Sequence, residues 1–143
     1  MKLCGRLAVC AVVAALGLTA SAEEAKVAVF DTGASSSAPL AEGSLSKRQG
    51  WTRVAEETKS HSFKGDAVLA NERLAVVLRR EASGADLYAK APDGWKRRAL
   101  LLPLGDGGSH KLSSVETLAN DVNVVSVDAC FSVASGRKLV LPP

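Results

Sequence analysis

Val125-Ser126-Val127-Asp128-Ala129-Cys130-Phe131-Ser132-Val133 puts Val125, Val127, Ala129, Phe131 and Val133 on one side of the chain. Ser126, Asp128, Cys130 and Ser132 fall on the other side. That is a period of two, the repeat of an extended strand with one oily face, whereas a helix would scatter these residues around its circumference. The element is expected over 122–133, with its apolar face on a core.

Upstream, two hairpins read in the same way. Ala67-Val68-Leu69-Ala70 and Leu74-Ala75-Val76-Val77-Leu78 flank the polar triplet Asn71-Glu72-Arg73. The second arm is apolar on both faces, which predicts a central strand covered on both sides. Residues 85–90 and 95–102 flank Ala91-Pro92-Asp93-Gly94, where Pro presets φ and Gly accepts a positive one. Lys26 to Phe30 reads as a further short strand, and Trp51 to Val54 and Leu112 to Leu118 as two more. The Ser-, Ala- and Gly-rich stretch 34–50 reads as a loop holding at most a short helix after Pro39. Gly105-Asp106-Gly107-Gly108 is a second loop, and Lys138 to Leu141 begins a last strand. The expected fold is all-β, an antiparallel meander forming part or all of a β-sandwich, after an N-terminal signal helix.

The first 22 residues carry the features of an export signal: Lys2 and Arg6, an apolar run from Leu7 to Leu18, then Ala20-Ser21-Ala22 in the small-x-small pattern of a cleavage site. The chain divides into a leader over 1–22, a strand and loop over 23–50, and a sandwich-like domain over 51–143. Removing the leader takes away Lys2, Arg6, Cys4 and Cys10. The 18 basic residues become 16 against 15 acidic, net +1, and Cys130 is left as the one thiol of the 121 that follow. An exported protein, periplasmic or extracellular, is expected, with no membrane anchor after cleavage and no internal disulfide. The chain ends on Pro142-Pro143, which cannot extend a ladder. They either cap an edge strand or mark the front portion of a longer product.

The balance of 18 Lys+Arg and 15 Asp+Glu, with aromatics at 4%, speaks against a nucleic-acid partner. Two His without an acidic cluster do not make a zinc site, so no metal is expected. No G-x-S-x-G elbow is present, and no helix follows the glycines at 105–108 to hold a phosphate, so no cofactor is expected either.

Two segments invite a functional reading. Val27-Ala28-Val29-Phe30-Asp31-Thr32-Gly33-Ala34-Ser35 is an apolar strand ended by Asp-Thr-Gly, a small residue and Ser. It resembles the active-site segment of aspartic peptidases. The resemblance implies a catalytic Asp31 in a turn built by Thr32 and Gly33, facing a second Asp31 across a homodimer, as in the retroviral-type enzymes. Two close carboxyls share one proton and act as acid and base on a bound water. The apolar-pair-plus-Gly that accompanies this segment in the family has its nearest match here in Leu102-Pro103-Leu104-Gly105.

From Trp51 onward, and most of all over 63–78 and Gly84-Ala85-Asp86-Leu87-Tyr88, the order of elements resembles the N-terminal strands of large secreted bacterial β-sandwich proteins of the galactose-mutarotase-like, or supersandwich, kind. That resemblance implies a carbohydrate-related or structural role outside the cell and transfers no catalytic residue. Trp95-Lys96-Arg97-Arg98, with Tyr88 across the hairpin and Arg79 and Arg80 beyond, offers aromatic and guanidinium groups for an acidic polysaccharide. The functional expectation is therefore an exported non-catalytic β-sandwich module. Its partner is a cell-envelope carbohydrate, through Tyr88, Trp95, Arg97 and Arg98, or a further domain of a longer chain. The alternative is the homodimeric peptidase.

Overall fold

In the computed structural model, which describes residues 5–10, 26–103 and 110–133, nine strands and one short helix form two antiparallel sheets. The larger sheet has the order β3 (Thr52–Arg53), β2 (Ala28–Asp31), β4 (Ala67–Ala70), β5 (Leu74–Leu78), β6 (Ala85–Ala91) and β7 (Gly94–Leu101). The smaller one is the hairpin of β8 (His110–Asn120) and β9 (Val125–Val133), with β1 (Gly5–Cys10) on the outer side of β9. From β4 to β7 neighbours in sequence are neighbours in space, the meander that the turn spacing predicts.

The two sheets close on one core. Val27, Val29, Ala67, Leu69, Val76, Leu78 and Ala85 of the large sheet meet Leu112, Val125, Val127, Ala129 and Phe131 of the hairpin. The inward residues of β9 are the ones its period-two pattern marks. The opposite face of the large sheet also carries apolar side chains: Phe30, Val68, Ala70, Ala75, Val77, Tyr88 and Trp95. A single sandwich would leave that face wet. Here the 34–51 segment folds over it, with the helix α1 (Glu42–Lys47) pressing Leu45 into it. This double covering explains why β4 is buried along its whole length and β5 from Ala75 to Leu78.

The leader departs from expectation where it is described. Gly5–Cys10 is extended rather than helical, and pairs antiparallel with β9 from Gly5↔Phe131 to Cys10↔Ser126. The physical reason is the row of main-chain donors and acceptors along the outer side of β9, which an extended segment satisfies and a helix cannot. The rest of the leader lies outside the described residues. So do the glycine loop at 105–108, the strand expected over 138–141 and the terminal prolines. Among the described residues no helix is long and apolar enough to cross a membrane.

Candidate functional site

The Asp-Thr-Gly segment sits where β2 ends, and its turn is locked to the chain entering β4. Asp31 is 3% exposed and ringed by donors. Its Oδ1 accepts from the Gly33 N–H (2.9 Å) and the Gly65 N–H (2.9 Å). Its Oδ2 accepts from the Lys64 N–H (2.8 Å) and meets His61 Nε2 at 3.0 Å. A carboxylate has about four lone-pair directions, and all are used. Burial alone would raise the Asp31 pKa. The amides of Lys64, Gly33 and Gly65, with the His61 contact, outweigh that and hold it at about 2.

Thr32 completes the joint. Its main-chain N–H donates to Asp66 O (3.1 Å), while its hydroxyl accepts from the Asp66 N–H (2.8 Å) and donates to Ala34 O (2.8 Å). Gly33 has φ +76°, which aims its N–H back at Asp31. Gly65 is required for a different reason: a Cβ there would lie 2.4 Å from both Ala34 N and Thr32 Oγ1. Two chain segments that are distant in sequence therefore share one tight crossing.

A second buried acid follows at once. Asp66 is 0% exposed and accepts from the Ser36 N–H (3.0 Å) and the Arg80 N–H (3.1 Å). Its pKa is raised by burial, which the two amides and the nearby Arg79 and Arg80 charges only partly offset. By strand parity Asp66 belongs with Val68 and Phe30, and Asp31 with Val29 and Ala67. The two carboxyls thus point to opposite faces of the sheet and form no proton-sharing pair within one chain.

The covered face holds a third carboxylate. Asp86, 0% exposed, takes Arg79 Nε on Oδ2 (2.6 Å). On Oδ1 it takes Arg97 through Nε (2.7 Å) and Nη2 (2.6 Å). Arg79 also donates to Ser37 O (3.2 Å) in the covering segment. Tyr88 is beside this cluster, fully buried, with its hydroxyl on Leu40 O (3.1 Å). Burial first, and the Asp86 charge second, raise its pKa.

These positions revise the expected glycan patch. Tyr88 and Trp95 (3% exposed) lie under the 34–51 segment and offer no ring face to a ligand. Arg97 directs its charge to Asp86. Arg98 is exposed and has no partner in the register, because β6 and β7 slip by one residue there: Leu87 pairs with Ala99 and Tyr88 with Arg97. For the buried members the physical cause is shared. Parity puts Arg79, Asp86, Tyr88 and Trp95 on the face with Val77, and that face is covered rather than open.

Sequence reasoning missed two functional-looking contacts, of which one is not evident from the sequence at all. His61 lies between serines and gives no sign that it closes the Asp31 shell. The Arg79–Asp86 pair does leave a signal: each side chain is two residues from a buried neighbour of the same face, Val77 and Tyr88. Among the described residues no group of three or more His, Cys, Asp or Glu side chains is placed to hold a metal ion. Cys130 is half-buried on the side of β9 away from the core, as its parity predicts. Compared with known protein families, with curated proteins and with solved structures, the chain matches none.

Proposed function

We propose that the chain is an exported, non-catalytic β-sandwich module that serves outside the cell as a binding or structural unit, with Asp31 as a brace rather than a catalyst. One observation carries the reading: every acceptor direction of the Asp31 carboxylate is filled by this chain's own donors. An aspartyl catalyst needs an oxygen open to water and a second carboxyl close enough to share its proton. Asp31 is held ionised, with a pKa of about 2, and a partner's carboxylate would have to displace the Lys64 and Gly65 amides to reach it. Such a carboxylate would also bring a like charge to a site built to keep one.

The test is a proteolysis assay on an unfolded protein substrate across the acid range, run beside unfolding of the same samples. The expected outcome is no cleavage above background by the wild type, together with a loss of about 3 kcal/mol of stability in Asp31→Asn. Acid-range cleavage that disappears in Asp31→Asn, in a variant that still folds, overturns the reading in favour of the homodimeric peptidase.

A further inference from the structure

Four cations on or beside the large sheet are matched with acids: Arg79 and Arg97 with Asp86, Lys96 with Glu42 and Asp93, Arg53 with Glu56. Arg48, Arg73 and Lys90 are different. They form no ion pair among the described residues, yet all three line one groove of about 600 Å³, together with Glu72, Asn71 and Trp95. The volume is in the range of about 300–1,000 Å³ common for ligand sites. One acid against three bases leaves the groove with a net positive charge.

Arg48 and Arg73 come from separate turns and Lys90 from the end of β6, and hydrogen bonds hold the backbone at each. Arg48 is the C-cap of α1 in the left-handed region, φ 47°, with its N–H on Ser44 O. Its guanidinium lies 4.4 Å over the Phe30 ring and donates through Nε to Leu45 O. Arg73 is in the β4–β5 turn, where Asn71 Oδ1 accepts from the N–H groups of Arg73 (2.8 Å) and Leu74 (2.7 Å). Lys90 donates its main-chain N–H to Arg73 O (2.8 Å), which sets these two cations side by side. Its ammonium lies 6.0 Å over the Trp95 ring. The backbone that carries the three cations is thus already in place before a ligand arrives.

We infer that this groove binds the carboxylate or sulfate groups of an acidic saccharide, with Arg73 and Lys90 as the principal contacts and Arg48 at the far wall. The inference rests on the binding-module reading given above, and moves its ligand contacts from the covered rings of Tyr88 and Trp95 to the exposed cations beside Trp95 at the C-terminal end of β6. Guanidinium and ammonium groups match oxyanions in charge and donor geometry. A single-stranded nucleic acid would need exposed rings for base stacking. Here Trp95 is buried and Phe30 is under Arg48. The concave shape also suits a narrow chain better than a flat lipid surface.

The experiment is titration calorimetry of the full chain with polygalacturonate, with neutral dextran, with monomeric galacturonate and with a single-stranded oligonucleotide, at low and at raised salt. Polygalacturonate binding that weakens with salt is expected. In the double variant Arg73→Ala/Lys90→Ala it falls by about a hundredfold, roughly tenfold for each charge removed. Arg73→Lys keeps most of it. Both side chains are exposed, so the melting temperature of the variants stays that of the wild type. Binding of the monomer at the same cations supports the same site with a smaller ligand. Unchanged binding in the double variant overturns the groove and leaves the module reading standing, as does binding of dextran alone. Tighter binding of the oligonucleotide than of polygalacturonate overturns the saccharide assignment. Asp31-dependent proteolysis, by contrast, sinks the module reading itself.

Discussion

At the scale of single residues, Asp31 ties its own turn to the chain entering β4 through its carboxylate. Its folded pKa of about 2 is below the ordinary 3.8, so its contribution to stability is complete above pH 3.8 and is lost as the pH falls from there towards 2. Roughly 2 kcal/mol is expected to disappear over that window. Asp66 works in the opposite direction. Its raised pKa means that the folded form takes up a proton more readily than the unfolded chain, so protonating Asp66 in acid favours folding. The acid limb of the wild type is the difference between the two. Unfolding followed against pH should show Asp31→Asn without the loss between 3.8 and 2. A second residue gives the reverse kind of test. The Thr117 hydroxyl is buried and has no hydrogen-bond partner among the described residues. Thr117→Val keeps the shape and removes the stranded donor, so it should stabilise the protein by about 1 kcal/mol in chemical denaturation.

At the scale of elements, the hairpins and the inward face of β9 could be read directly from alternation, because side-chain parity in a strand is a local property. What covers the second face of a sheet is not local. β5 announces burial on both sides, but nothing in Leu74–Leu78 says that Leu45 and Trp51 will supply the cover. The same gap misplaced Tyr88 and Trp95. Their parity was legible and their exposure was not, since exposure depends on a segment 48 residues from Tyr88 folding back over them. The Arg79–Asp86–Arg97 cluster, with Arg79 and Asp86 buried and Arg97 at its open side, belongs to this scale, for it ties β5, β6 and β7 to the covering segment. Asp86→Asn leaves two guanidinium groups facing a neutral amide. It should cost about 3–5 kcal/mol, read as a lowered urea midpoint with an unchanged slope. A near-neutral result would show the cluster to be solvated rather than dry.

For the whole molecule, one core holds two sheets together and a second is closed by a six-residue helix and its flanking loop. The Asp-Thr-Gly crossing lies where these parts meet, binding the start of the covering segment to the entry of β4. That placement gives the most enzyme-like motif of the sequence a part in holding the sheet together. It sits nine residues after the expected processing site at Ala22, at the end of β2. The site residues that sequence could suggest were those with a recognisable motif. The basic side chains around the C-terminal end of β6 have none, because a helix end, a hairpin turn and a strand end from three parts of the chain converge there only after folding.

The pairing of Gly5–Cys10 with β9 has a consequence for processing. If a peptidase trims the chain after Ala22, it also strips a β-ribbon of its outer neighbour, and the newly bared rim from Ser126 to Phe131 becomes adhesive towards any extended peptide. The precursor would then travel with its sticky border already shielded, and the trimmed product would have to find a substitute for its own discarded leader.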